Sequence, residues 1–239
     1  MDINGLINGF LGSGSSETAQ SGNAKSQGVS SALGGLPGGL AGGAAAGSVV
    51  ALMLGSKKAR KLGGKALTYG GMAVVGGLAY KAYQNYKSNQ QGTPTALDSV
   101  PTPPSDSGFD PALVEDARGN DMRLALIQAM ISAAKADGHV DADENQKIRE
   151  QIEATQLGAD EKGFLFDQLS AESDPIAIAR LAKDEPQASE IYLVSALTID
   201  IDTPEERRYM ERLGDALRLP RPLLNQLQEH ADAAKAAAE

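Results

Sequence analysis

The chain has 239 residues, 41% of them hydrophobic, with no cysteine and no tryptophan. Disulfides, thiolate zinc sites and cysteine nucleophiles are therefore excluded. Charge is divided unevenly: residues 1–109 carry eight Lys and Arg against four Asp and Glu (net +4), whereas residues 110–239 carry 14 against 27 (net −13). Because phosphate contacts need clustered Lys and Arg, the acidic half is not expected to bind nucleic acid and suits cations or basic partners instead.

Residues 1–32 are predicted to be a disordered N-terminal segment, because Gly, Ser, Gln and Asn dominate residues 12–32. Within this segment, residues 1–11 place apolar side chains at helical spacing and could form a short amphipathic helix. They lack the basic region that begins a cleaved signal peptide.

Residues 33–87 form a Gly-rich region that is predicted to associate with a membrane. Its first run, 33–55, reads LGGLPGGLAGGAAAGSVVALMLG and carries no charge, which makes it long enough to span a bilayer. The basic sequence SKKARK follows directly and is typical of the cytoplasmic side. Four glycines recur at every fourth position and would let helices approach closely, which favours self-association: Gly35, Gly39, Gly43 and Gly47.

A second, shorter apolar run at 62–80 leaves two topologies open. In the first, only 33–55 spans the membrane as a single helix and the C-terminal domain is cytoplasmic. In the second, the two runs form a helical hairpin and both termini face outward. We favour the single span.

Residues 88–109 are polar and Pro-rich and are predicted to be a disordered linker. From residue 110 to 239 the sequence predicts an all-α domain, since helix start signals recur and no alternating strand pattern competes. The predicted starts are Asp110–Pro111, Asp141, Asp160, Asp174–Pro175, Pro186, Thr203–Pro204 and Leu223.

Two acidic loops of this domain look alike. The sequence ADGHVDADE at 136–144 and the sequence IDIDTPEE at 199–206 each follow an apolar helix and each place a glutamate at the third position of the next one. Such a duplication would bring together four carboxylates, Asp137, Glu144, Asp200 and Glu206, which would favour Ca²⁺, Mg²⁺ or Mn²⁺. Helix capping accounts for half of these residues without an ion and is the interpretation that the spacing alone favours, but both interpretations stay open.

The two loop motifs, with Leu213, Leu217 and Leu219 after the second, resemble the TerB-like helical domain. From about Leu33 to Leu227 the chain resembles the YebE-like group of uncharacterised inner-membrane proteins (domain of unknown function family 533), in which a Gly-rich run, a basic stop and an acidic repeat occur in this order. The resemblance implies a bacterial inner-membrane location and a bundle of about seven helices. It also implies a divalent ion at Asp137 and Glu144 in the first loop and at Asp200 and Glu206 in the second, with Asp202 and Glu205 adjacent.

These features predict a membrane-anchored, non-enzymatic helical module that binds a divalent cation, a protein partner or both, in envelope or metal stress. One alternative is a purely structural membrane oligomer. Another is a metal-dependent hydrolase, for which the sequence offers no persuasive base or basic clamp. We assign no catalytic or cofactor-binding residue, and the two histidines, His139 and His230, have no evident partner in the sequence.

Overall fold

The structure is a computed structural model that describes residues 1–11, 59–88, 100–138 and 142–237. The all-α prediction is confirmed for these ranges, which contain one isolated β-bridge, between Glu115 and Asp121, and otherwise no strand. The helices described are α1 (Ile3–Leu11), α2 (Ala59–Lys87), α3 (Met122–Ala134), α4 (Ala142–Ala154), α5 (Ala159–Ser170), α6 (Pro175–Ala179), α7 (Glu185–Thr198), α8 (Pro204–Ala216) and α9 (Arg221–Ala237).

Helix α7 is the centre of the fold. Every residue from Gln187 to Thr198 is buried, because α2, α3, α6, α8 and α9 all pack against it. A helix covered on all sides needs apolar or small residues around its whole circumference, and the sequence IYLVSALT supplies them. The hydroxyls of its buried serine and threonine side chains are satisfied within the helix; Ser195 Oγ, for example, donates to the Ile191 carbonyl over 2.8 Å.

Helix α2 is a core helix in its C-terminal half. It packs along α9 and α7, and Val75, Leu78 and Ala79 are fully buried there. The predicted second span, 62–80, falls within α2 and is not supported, since protein covers Val75, Leu78 and Ala79 in its second half and α2 is not apolar enough to cross a bilayer. A run of glycine and aliphatic residues is typical both of a membrane helix and of a helix buried in protein, so the sequence pattern alone did not separate the two.

The predicted first span, 33–55, lies outside the described residues. In the ranges that the structure describes, no helix combines the length and the apolar character needed to cross a bilayer.

Helix α1 belongs to the packed structure and corrects the prediction that the first residues are disordered. Leu6, Phe10 and Leu11 are buried, and the helix contacts α2 and α3. The backbone amide of Asp2 also donates a hydrogen bond to the Glu161 carboxylate on α5. The helical spacing of residues 1–11 is thus confirmed, whereas residues 12–32 lie outside the described ranges.

The end of the predicted Pro-rich linker is a strap across α2. Residues 100–109 contain no helix or strand and pass over the helix at Gly76 and Gly77. A Cβ at Gly76 would overlap the carbonyl oxygen of Phe109, and one at Gly77 would overlap the Val100 side chain. The two glycines therefore permit a contact between the strap and α2 that alanine would prevent. Residues 89–99 lie outside the described part of the chain.

Helix α3 begins at Met122 and not at the predicted start Asp110–Pro111. Asp110 accepts a hydrogen bond from the Ala112 amide over 3.1 Å and forms a turn that does not continue as a helix. The buried Asp116 then closes a loop by accepting bonds from the amides of Arg118 and Asn120 at 2.8 and 2.9 Å. Asp121 caps the helix through the Arg123 amide.

Other predicted starts are confirmed. Asp174 caps α6 through the amides of Ile176 and Ala177. Thr203 and Glu206 form the predicted capping box of α8. Helix α5 begins at Ala159, one residue before the predicted start, and the predicted cap Asp141 lies outside the described residues.

Candidate functional site

The second acidic loop, 199–203, connects α7 to α8. Its first aspartate, Asp200, lies 3.3 Å from the ammonium group of Lys235 on α9. Lys235 is 8% exposed, and its ammonium group also donates to the Ile199 carbonyl over 2.8 Å. The lysine therefore neutralises Asp200 and satisfies a carbonyl at the end of α7.

Glu206 stabilises the start of α8. Its Oε2 accepts bonds from the Thr203 amide at 3.0 Å, the Thr203 hydroxyl at 2.9 Å and the Asp202 amide at 3.2 Å, while its own amide donates to Thr203 Oγ1. Partial burial raises the pKa of Glu206, the bonds to Thr203 lower it and the neighbouring Asp202 raises it, with a net shift upward. Both predicted ion ligands of this loop thus have structural partners.

The first acidic loop is described in part. Asp137 is half-buried in the turn that follows α3, beside Gly138 at φ +72°. Residues 139–141 and the side chain of Glu144 lie outside the description, so the predicted joining of Asp137 and Glu144 with the second loop stays a prediction. In the part of the chain that is described, no three carboxylate or imidazole side chains gather closely enough to hold a metal ion.

Lys135, at the C-terminal end of α3 just before the first loop, has a role like that of Lys235. Its ammonium group donates to the carbonyls of Leu169, at 2.6 Å, and Ala171 at the C-terminus of α5. Burial lowers the pKa of Lys135. Free carbonyls at a helix C-terminus carry partial negative charge, so each lysine stabilises the end of a neighbouring helix.

A buried hydrogen bond connects the helices that flank the two loops. The hydroxyl of Tyr209 on α8 donates to Ser132 Oγ on α3 over 3.1 Å, and burial raises the pKa of Tyr209 to about 12. Ser173 Oγ donates in turn to the Ser132 carbonyl over 2.7 Å. The end of α3 is therefore fastened to α8.

An open cleft of about 700 Å³ lies between α7, α8 and α9, with the second acidic loop at one end. Tyr192, Met210 and Leu224 form an apolar floor, and charged side chains surround it. Sequence analysis did not find this cleft, because its walls come from helices whose contacts are not encoded in local spacing.

Two buried titratable groups were also missed. Glu190 on α7 is fully buried, and neither carboxyl oxygen has a hydrogen-bond partner in the described chain. Burial raises its pKa well above the usual value, and the charges of Asp110 and Asp184 add to the shift. His230 on α9 is 1% exposed, and a ring nitrogen lies 3.3 Å from the Asn85 side-chain amide of α2; burial and the nearby Lys81 lower the pKa of His230.

The chain matches the family described as "Protein of unknown function (DUF533)" over residues 39–231. It belongs to this family. A protein from Yersinia enterocolitica, described as "Uncharacterized protein in ampR 5'region", is 33% identical over 108 residues, which cover 44% of this chain and 75% of that relative. No solved structure matches the chain significantly.

Proposed function

We propose that this DUF533 protein is a non-enzymatic helical module, tethered to the bacterial inner membrane by residues 33–55, that presents its acidic domain to a protein partner on the cytoplasmic side. Helix α2 carries the proposal. It begins at Ala59, four residues after the apolar run ends, and continues without a break for 29 residues into the core between α7 and α9. Movement at the membrane would therefore reach the domain through one rigid helix.

The acidic character of the domain supports a basic partner. Residues 110–239 carry 27 acidic against 14 basic side chains, and this excess of negative charge attracts basic proteins over a distance set by the salt concentration. We include a second version of this proposal, in which the domain has a TerB-like fold and binds a divalent ion. The partners that Asp200 and Glu206 already have favour protein binding over ion binding.

The tether is tested by deleting residues 33–55 from the full chain and fractionating the cells. The variant without residues 33–55 should be absent from the membrane fraction. It should keep the thermal unfolding transition of the full chain, because α2 remains intact. A protein of the same length in which the run is scrambled but still apolar is the matched control and should stay with the membrane. Membrane association that survives the deletion contradicts the tether.

The side of the membrane is tested by reporters fused after Glu239. A reporter active only in the cytoplasm should work there, and alkaline phosphatase, which needs export, should not. The opposite result contradicts a cytoplasmic domain and favours the hairpin topology.

The ion form is tested by calorimetry of the full chain in non-ionic detergent with Ca²⁺, Mg²⁺ and Mn²⁺. If the main role of the domain is to bind a protein, titration with these ions should give no saturable heat. Saturable heat that Asp137→Asn abolishes, with Asp167→Asn on the exposed face of α5 as the control, would instead establish the ion site.

A further inference from the structure

We propose that the cleft between α7, α8 and α9 binds an organic cation, namely an ammonium or guanidinium group carried on an apolar chain. Its volume of about 700 Å³ is in the range of small-ligand sites. This site goes beyond the membrane tether and the partner proposed above, and its test depends on neither.

The floor of the cleft is apolar and is kept open by a glycine. Tyr192, Met210 and Leu224 are each less than a tenth exposed and line it together with Gly214 of α8. A Cβ at Gly214 would lie 3.2 Å from both methyl carbons of Leu224 and 3.4 Å from Tyr192 Cε2. Any larger residue would therefore narrow the floor, which is shaped for the apolar part of a ligand.

Hydrogen-bond acceptors on the α7 and α9 sides of the cleft have no protein donor. Tyr192 is 7% exposed, yet its hydroxyl makes no hydrogen bond within the described chain, and it lies within electrostatic range of Asp232 and Arg221. Gln228 donates from Nε2 to Asp232 over 2.9 Å, which leaves its buried Oε1 without a partner among the described residues. A buried polar atom without a partner costs free energy, so a donor from a ligand would be stabilised at Gln228 Oε1.

Most of the positive charge around the cleft is already paired. Lys235 is held by Asp200 and the Ile199 carbonyl and also lies 4.0 Å from the exposed carboxylate of Asp232, and Arg221 pairs with Asp215 at 3.1 Å. Arg207 is the remaining cation in the lining, which also contains the carboxylates of Asp202, Glu211 and Asp232. The uncompensated charge is therefore negative, and together with the acceptors it selects a donor-rich cation over an anion.

The experiment is a calorimetric titration of 1,6-diaminohexane into the full chain in non-ionic detergent. The diamine should bind saturably at a single site, and the neutral 1-hexanol at the same concentration should not. Asp232→Asn and Tyr192→Phe should each weaken binding on the order of tenfold, since each removes one charged or polar contact. Glu229→Gln, an equivalent loss of charge on α9 outside the cleft, should leave the affinity unchanged.

Folding of each variant is checked by thermal unfolding. Asp232 has a side chain that is 62% exposed, so its variant keeps the test valid if Tyr192→Phe unfolds. The absence of saturable binding overturns the proposal, as does equal weakening by Glu229→Gln, which would indicate general attraction to an acidic surface. Displacement of the diamine by millimolar Ca²⁺ but not by Na⁺ at equal ionic strength would also overturn it, in favour of a metal ion.

A second titration identifies the source of the cation. A short peptide with one lysine, acetylated at its N-terminus, is compared with its norleucine counterpart and with the free diamine. Tighter binding of the lysine peptide assigns the cleft to a side chain of a protein partner, and tighter binding of the diamine assigns it to a free amine. Both outcomes support the site.

Discussion

Glu190 places an ionisable carboxyl group in the centre of the molecule. It lies on α7 beneath the point where the strap crosses α2, and a Cβ at Gly76 would be 3.2 Å from its Oε1. The charges that act on it, Asp110 and Asp184, are both negative. Burial and like charges both disfavour the ionised form, so the folded protein keeps this carboxyl protonated to a higher pH than the unfolded chain does.

This difference predicts a specific dependence of stability on pH. In the unfolded chain Glu190 loses its proton near the usual value of 4.5, whereas the folded protein retains it. The free energy of unfolding should therefore fall as the pH rises above 4.5, until the raised pKa of the folded state is passed. Glu190→Gln removes this loss, so its free energy of unfolding should rise relative to that of the wild type as the pH increases from 4.5 to 7.

Denaturant unfolding at several pH values measures the effect. Glu229→Gln, at an exposed position of α9, is the matched control and should follow the wild-type curve. A Glu190→Gln curve parallel to the wild type at every pH would contradict a raised pKa at this position.

Single residues also show what sequence can predict about a site. The pairing of Thr203 with Glu206 was predicted because a capping box is a local pattern that spans four residues. The pairing of Asp200 with Lys235 joins residues 35 apart and depends on how α9 packs against α7, which local spacing does not encode. The sequence therefore found the carboxylates but not the lysine that neutralises one of them.

At the scale of elements, two glycines determine where the strap can lie on α2. Gly76→Ala should destabilise the protein by roughly 1–3 kcal/mol, because the new methyl group would overlap the Phe109 carbonyl and force the strap away. The expected observation is a lower midpoint of denaturant unfolding.

Gly163→Ala on α5 is the matched control for the same chemical change. A Cβ there meets nothing within 4 Å, so the higher helix propensity of alanine should stabilise the protein by up to about 1 kcal/mol. Opposite signs at the two positions are expected. Stabilisation at both would mean that the strap does not constrain α2.

Elements with local signals were predicted well, and those fixed by distant contacts were not. Helices α6 and α8 carry a capping side chain followed by proline, and both begin where that signal predicts. The same signal at Asp110–Pro111 does not mark a helix start. The loop closed by Asp116 and the β-bridge between Glu115 and Asp121 follow it, and α3 begins only at Met122. The role of α2 was missed because its partners are distant in the sequence: α7 begins 98 residues and α9 begins 134 residues after the end of α2.

At the scale of the whole molecule, the hydrophobic core is shared across the boundary predicted at residue 110. The buried side chains of α1 and α2 belong to the same cluster as those of α7 and α9. The independent domain 110–239 stays a prediction, and the shared core gives a physical reason to test it. If the domain needs α2 in order to fold, the helix that follows the proposed membrane segment is part of the domain's core.

A comparison of two fragments decides this. Fragment 110–239 lacks Met72, Val75 and Leu78, which are buried side chains of α2, and each large buried side chain contributes about 1.5–3 kcal/mol, so this fragment should be at least several kcal/mol less stable than fragment 59–239. Removal of α2 also exposes the faces of α7 and α9 that it covers, which should make the shorter fragment self-associate. Denaturant unfolding and light scattering measure the two effects. Equal stability and a monomeric 110–239 would establish the predicted boundary and reduce α2 to a linker between membrane and domain.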